Sequence, residues 1–182
     1  MQEISLHVLD IVQNSITAGA SLIEIIVDEN KTDDFLDITI TDNGCGMDEE
    51  KVKKVLDPFY TTRSTRRVGL GIPMYREAAL STGGDFKIES VLGVGTKVFA
   101  RFGYSHIDRQ PLGDMGGAVV VLITCNPQLD FIYTHKYEDK IFVVDTKEIK
   151  KILDGVSVSD IQVSAWLKEY VNEGISNLYG GV

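Results

Sequence analysis

The chain has 182 residues, of which 43% are hydrophobic and 25% are charged. A chain of this length and composition can bury a real core, which excludes a disordered tail and a disulfide-stapled miniprotein. Its net charge of −9 is spread along the chain without a long basic cluster, so we expect no nucleic-acid partner.

Other features of the composition bear on the cellular location. The cysteines, Cys45 and Cys125, cannot form a disulfide framework, and no Cys/His spacing is typical of a zinc site. The longest mostly apolar run, Ala118 to Cys125, is far shorter than the roughly 20 residues of a membrane-spanning helix. The opening residues, MQEISLHVLD, lack the pattern of a secretion signal. We therefore expect a cytoplasmic protein with no membrane partner.

Hydrophobic periodicity predicts the first part of the chain in some detail. Apolar residues at Ile4, Val8, Ile11 and Val12 share one face of a helix that Gly19 is expected to end. The pattern then predicts, in chain order, strands at 22–28 and 35–41, helices at 48–56 and 72–81, and strands at 85–90 and 96–102.

The character of the sequence changes after Tyr104. Beyond an irregular connector, the pattern predicts a helix near 114–125, a hairpin of strands at 129–136 and 140–145, and helices near 146–153 and 160–178. We therefore place a boundary near residue 104. It separates a first domain at 1–104 from a smaller C-terminal α+β annex at 105–182, whose role the sequence does not assign.

The first helix carries a narrow polar stripe of four residues: His7, Asp10, Asn14 and Thr17. A half-buried helix normally turns such a stripe to solvent. Two glycine pairs favour a ligand site instead, because Gly44 and Gly46 follow the carboxylate of Asp42 at a strand end, and Gly69 and Gly71 open a helix. Three arginines precede the second pair: Arg63, Arg66 and Arg67.

The glycine pairs match neither the phosphate loop of P-loop proteins nor the dinucleotide fingerprint, which would need a third glycine at Met74. Instead, the chain resembles the GHKL superfamily of gyrase-type topoisomerases, heat-shock chaperones, histidine kinases and MutL. Four segments match its N, G1, G2 and G3 boxes in order: LDIVQNSITAGA (9–20), DNGCGM (42–47), DPFYTTRSTRRVGLGI (57–72) and GVGT (93–96). The resemblance implies a Bergerat ATP-binding fold, an α+β two-layer sandwich with a mixed sheet and helices on one face.

The resemblance also implies a ligand role for each matched residue. Asn14 is expected to coordinate a Mg²⁺ ion held by the phosphates of ATP, and Asp42 to accept a hydrogen bond from the adenine amino group. Gly44 and Gly46 belong to the adenine loop, where Gly46 leaves room for the base. Thr96 is expected to steady the contact between adenine and Asp42.

The phosphates are expected to contact a lid formed by residues 57–71. Gly69 and Gly71 present backbone N–H groups there, and Arg63 is a candidate for neutralising phosphate charge, with a solvated role as the alternative. Asp10 lies one helical turn before Asn14, where hydrolysing relatives carry a glutamate that acts as general base. An aspartate has a shorter reach, so a catalytic base and a mere supporting role both remain open.

These residues predict an ATP-dependent protein kinase or ATPase. We expect a stand-alone, histidine-kinase-like protein of bacterial regulation that transfers the γ-phosphoryl group of ATP to a partner protein. The alternatives are an ATP-gated interaction module with slow hydrolysis, as in MutL, and a non-enzymatic ATP sensor. His7 is expected to be structural and not a phospho-acceptor. In the annex, Trp166, Leu167 and Tyr170 are expected to pack on the hairpin at 129–145, with a partner-docking patch as the alternative, while homodimerisation remains open.

Overall fold

A computed structural model describes residues 3–57, 59 and 70–181. In this part of the chain, helices and strands alternate in the order α1 (Ile4–Thr17), β1 (Leu22–Asn30), β2 (Phe35–Asp42), α2 (Glu49–Val55), α3 (Gly71–Leu80), β3 (Asp85–Val91), β4 (Gly95–Gly103), α4 (Met115–Cys125), β5 (Asp130–Tyr137), β6 (Lys140–Asp145), α5 (Thr146–Leu153) and α6 (Ile161–Leu178). Each lies within a few residues of its predicted position.

All of these strands form one mixed sheet in the order β3-β4-β2-β1-β5-β6. Neighbouring strands are antiparallel except for β1 and β5, which are parallel. Parallel neighbours need a long crossover, and here the chain from β2 to α4 provides it. The parallel pair joins the strands of the predicted annex to those of the first domain within a single sheet.

The register places the buried side chains of neighbouring strands on one face of this sheet. Ile25 lies opposite Ile40 on β2 and opposite Tyr133 on β5, while Ile40 lies opposite Val98 on β4. All four side chains are buried. Because directly paired residues point to the same side of a sheet, this face carries the core. We call the other side the open face.

The helices α1, α3, α4 and α6 cover the buried face. The apolar side of α1 is buried there, and α4 is buried along most of its length between α1 and α6. The helix α3 packs on β3 and β4, and α6 packs on β5 and β6. This arrangement confirms the α+β fold with a mixed sheet. None of the helices in the described ranges is long and apolar enough to span a membrane.

Candidate nucleotide site

The carboxylate of Asp42 lies at the end of β2 and is held from two directions. Its Oδ2 atom accepts a hydrogen bond of 2.6 Å from the Ser15 hydroxyl on α1. Its Oδ1 atom accepts a hydrogen bond of 2.9 Å from the backbone N–H of Gly44. Asp42 remains 9% exposed, so a fixed acceptor lies just below the surface where β2 meets α1.

The loop after Asp42 is anchored to the connection between α1 and β1. The side-chain oxygen of Asn43 accepts the backbone N–H groups of Ser21 and Leu22, at 2.9 and 3.0 Å. The N–H of Cys45 donates to the carbonyl of Ala18 at 2.9 Å. These bonds fix the loop before any ligand arrives, which lowers the entropic cost of binding.

Glycines let the turn between β3 and β4 pack directly on this loop. A Cβ atom at Gly46 would lie 2.0 Å from the Val91 carbonyl oxygen, and one at Gly95 would lie 2.0 Å from that of Asp42. Gly46 also has a φ of +65°, which favours glycine. The structure therefore gives Gly46 a packing role. That Gly46 also leaves room for the adenine base stays a prediction.

Thr96 lies beside Asp42, because the two residues are paired across β4 and β2. Its hydroxyl is 2.8 Å from that of Ser90, which also accepts the N–H of Met47 at 2.8 Å. Thr96 thus belongs to a polar cluster that ties the adjacent turn to the adenine loop proposed from the sequence. A Cβ at Gly44 would lie 2.9 Å from the Cβ of Ala18, so the loop is closely packed on this side as well.

The other candidate residues lie along α1 and at the start of α3. Asp10 and Asn14 are exposed and one helical turn apart. A Cβ atom at Gly71 would lie 3.4 Å from the Asp10 Oδ2 atom, so this carboxylate faces the first residue of α3. Asp10 and Asn14 thus lie on the same helix as Ser15, which donates to Asp42, and Asp10 lies beside Gly71. Arg63 and Gly69 lie outside the described residues.

Comparison with known proteins identifies the family. Residues 2–105 match the family described as histidine kinase-, DNA gyrase B- and HSP90-like ATPase. The chain belongs to this ATPase family. The predicted GHKL membership is confirmed, and the matched residues include both the Asp42 loop and Thr96 at the start of β4.

Two curated relatives of this chain carry kinase names, one a sporulation kinase and the other a histidine kinase. Sporulation kinase C of Bacillus subtilis is 33% identical over 88 residues, which cover 48% of this chain and 20% of the relative. The signal transduction histidine-protein kinase AtoS of Escherichia coli is 40% identical over 58 residues, which cover 32% of this chain and 9% of the relative. The chain thus matches a fifth or less of the length of these kinases.

A solved structure shares the fold. The ATPase domain of Aquifex aeolicus MutL, complexed with ADP, aligns with a TM-score of 0.51 and 16% identity. The alignment covers 85% of this chain and 70% of the MutL chain. It therefore includes part of residues 105–182 as well as the region that matches the family.

The structure corrects one detail of the predicted polar stripe. Asp10, Asn14 and Thr17 are exposed, but His7 is 1% exposed and stacks on Tyr75 with ring centroids 5.4 Å apart. Its Nε2 atom lies 3.0 Å from the Gln110 side-chain oxygen. Burial lowers the pKa of His7, since it disfavours the charged ring. The prediction that His7 is structural is confirmed.

Ser15 is the site residue that sequence reasoning missed. It lies on the apolar side of α1, three residues after Val12, and is buried. A small polar residue on a helix face that is otherwise apolar needs a buried partner. The polar Ser15 on this apolar face was the signal in the sequence that could have identified it as a site residue, and its partner is Asp42.

Proposed function

We propose that this ATPase-family chain binds Mg·ATP at the Asp42 site and transfers the γ-phosphoryl group to a partner protein. The observation that carries the proposal is the fixed Asp42 carboxylate, oriented by Ser15 and Gly44 at the mouth of a glycine-bounded loop. A carboxylate here accepts a hydrogen bond from the amino group of adenine. It would face the carbonyl oxygen of guanine, so the site favours ATP over GTP.

The phosphates are proposed to lie toward α1 and the start of α3. The side-chain oxygen of Asn14 is a suitable ligand for Mg²⁺. In nucleotide sites this ion is coordinated by only one or two protein oxygens, and phosphate oxygens and water supply its other ligands. No cluster of three or more His, Cys, Asp or Glu side chains that could hold a metal occurs among the described residues. The single amide oxygen of Asn14 fits a metal that arrives on the nucleotide with phosphate and water ligands. Bound there, Mg²⁺ neutralises phosphate charge during transfer.

Asp10 is proposed to act on the group that accepts the phosphoryl. Its carboxylate is exposed, one turn from Asn14, and faces Gly71. In the transfer, a bond forms between the acceptor atom and the γ-phosphorus while the bond to the β-phosphate oxygen breaks, and ADP leaves. Asp10 aligns the acceptor and takes up its proton where the acceptor carries one. Arg63 and Gly69 are proposed to contact the phosphates.

The named relatives support the kinase proposal, in which a partner protein supplies the phospho-acceptor. His7 is buried, so it is not available as one. Transfer depends mainly on position and charge neutralisation, which allows an acceptor on a separate protein. In an ATP-gated module the γ-phosphate would be released slowly by hydrolysis, and in a passive ATP sensor it would stay on the bound ATP. In the kinase proposed here it is transferred to the partner.

Calorimetry tests the site. We expect Mg·ATP to bind measurably and Mg·GTP at least about tenfold more weakly. Asp42→Asn should lose most of this discrimination, because its amide can offer N–H to either base. Asp139→Asn, in the exposed turn between β5 and β6, is the matched control. Equal binding of the two nucleotides by the parent chain would contradict the assignment of Asp42.

Labelled nucleotide tests the transfer. The chain is incubated with Mg·ATP that carries a label in the γ-phosphate, together with candidate partners. Label on a partner supports the kinase, free phosphate indicates hydrolysis instead, and bound ATP without either product indicates a sensor. Asp10→Asn should leave ATP affinity unchanged while lowering transfer by about a hundredfold or more. Unchanged transfer would remove Asp10 from the reaction.

A further inference from the structure

The sheet has a free edge at β6. This strand pairs with β5 on one side, and no strand among the described residues pairs with its other side. Its centre, Ile141–Val144, consists of four apolar residues without the lysine or proline that normally protects an edge strand. On the open face, Ile141 is 60% exposed and Val143 is 45% exposed. Such an edge is suited to pairing with another strand.

An aromatic groove continues this edge toward α6. A cavity of about 640 Å³ is lined by Lys140–Phe142 together with residues 170–178 of α6. Phe142 packs against Tyr170 at a centroid distance of 5.5 Å, and Tyr170 stacks on Trp166 at 5.2 Å. Tyr170 thus packs on the hairpin as predicted and Leu167 is buried, while Trp166 and Tyr170 both remain partly exposed. Exposed tryptophan and tyrosine are typical of protein interfaces.

The edge is complementary to itself. When two copies of β6 run antiparallel about a two-fold axis at Phe142, Ile141 of each copy lies opposite Val143 of the other. This register keeps the same face of both sheets on the same side, as antiparallel pairing requires. It places the exposed aliphatic side chains in direct cross-strand pairs, which stabilise a sheet. Phe142 then lies opposite Phe142 on the helical side.

We propose that β6 pairs with β6 of a second copy of this chain, so that one sheet runs through both copies. The length of the edge favours this occupant. β6 fills the whole distance between the turn at 138–139 and α5, which begins directly after Asp145, so a second copy of β6 matches this edge along its full length. The nucleotide site stays open in this dimer, because β1 and β5 separate β2 from β6.

The charges predict how salt affects the dimer. In this register Asp139 lies opposite Asp145 of the second copy, and each copy carries a net charge of −9. These like charges oppose pairing, and salt screens them. The dimer should therefore become tighter as salt concentration rises. A dimer that weakens with salt would depend on ion pairs elsewhere, and would overturn the proposal.

Sedimentation equilibrium on the full chain tests the interface. We expect a concentration-dependent dimer, and Ile141→Lys should weaken it by about tenfold or more, since lysine on an edge strand opposes pairing. The matched control is Val91→Lys on β3, the opposite edge, because Val91 has the same exposure of 60%. A monomeric parent chain, or equal loss in both variants, would overturn the proposal.

Disulfide cross-linking tests the register in chains that remain folded. With Cys45 and Cys125 replaced by serine, Ile141→Cys is mixed with Val143→Cys under mild oxidation. Directly opposite residues have Cα atoms about 5 Å apart, which suits a disulfide. We expect a cross-linked dimer in the mixture and little in either protein alone, where the new cysteines would lie about two residues out of register. The absence of a cross-link in the mixture would overturn the proposal.

Discussion

The hydrogen bond of 2.6 Å from the Ser15 hydroxyl to Asp42 orients the carboxylate of the proposed adenine site. Without the hydroxyl, one carboxylate oxygen loses its partner and the side chain gains freedom to rotate away. We expect Ser15→Ala to lower ATP affinity about tenfold by calorimetry. Ser5→Ala changes another buried serine of the same helix, away from the site, and should leave affinity unchanged. Equal affinities of Ser15→Ala and the parent would show that Gly44 alone orients Asp42.

His7 gives the folded chain a pH dependence of known sign. Burial lowers its pKa in the folded state from the ordinary value of 6.5. As the pH falls through 6.5, the unfolded chain takes up a proton that the folded chain does not, so the free energy of unfolding decreases. Above that pH, both states hold a neutral ring and the effect disappears.

Urea unfolding at about pH 7.5 and pH 5.5 measures this effect. We expect His7→Phe, which keeps a ring on Tyr75, to reduce the loss of stability between the two pH values. If His7→Phe and the parent lose the same stability, other groups account for the pH dependence.

At the scale of elements, the close contact between the β3–β4 turn and the Asp42 loop depends on Gly95. A side chain here would meet the backbone of Asp42, and the φ of +146° disfavours one as well. We expect Gly95→Ala to lower the free energy of unfolding by about 2 kcal/mol or more, measured in urea. Gly93→Ala, in the same turn at φ +78° with open space around it, should cost about 1 kcal/mol. Similar losses in both variants would show that backbone strain, and not the contact, limits the turn.

Individual elements could be predicted from the sequence because their signals are local. The apolar spacing of α1 and the alternation in β1 and β2 depend on residues a few positions apart. The four family segments likewise indicated the location of Asp42. The exceptions, Ser15 and His7, are polar residues on buried surfaces. Their partners, Asp42 and Gln110, lie far along the chain, so periodicity alone could not place them.

The whole molecule is joined by a seam that no local pattern predicts, the parallel pairing of β1 with β5. A buried polar network crosses it. The Nε2 atom of His135 lies 2.7 Å from a carboxylate oxygen of Glu29, and the Tyr179 hydroxyl donates to the same oxygen. The Tyr133 hydroxyl lies 2.6 Å from Nδ1 of His135. Separating the two parts of the sheet would break these hydrogen bonds. The separation is unfavourable, because a buried polar group without a partner costs free energy.

This seam predicts that the described residues on the two sides of residue 104 unfold as one unit. Trp166 is the single tryptophan of the chain and lies on α6, whereas the proposed nucleotide site lies on α1 and β2. If unfolding is cooperative, Mg·ATP at about 100 times its dissociation constant should add about 2.7 kcal/mol to the stability reported by Trp166 fluorescence. A urea titration with and without nucleotide measures the shift, once calorimetry has given the affinity. Asp42→Asn, with weakened binding, should show a smaller shift at the same nucleotide concentration. Tight binding without a shift at Trp166 would mean that α6 unfolds independently, and that the boundary proposed near residue 104 separates two folding units within one continuous sheet.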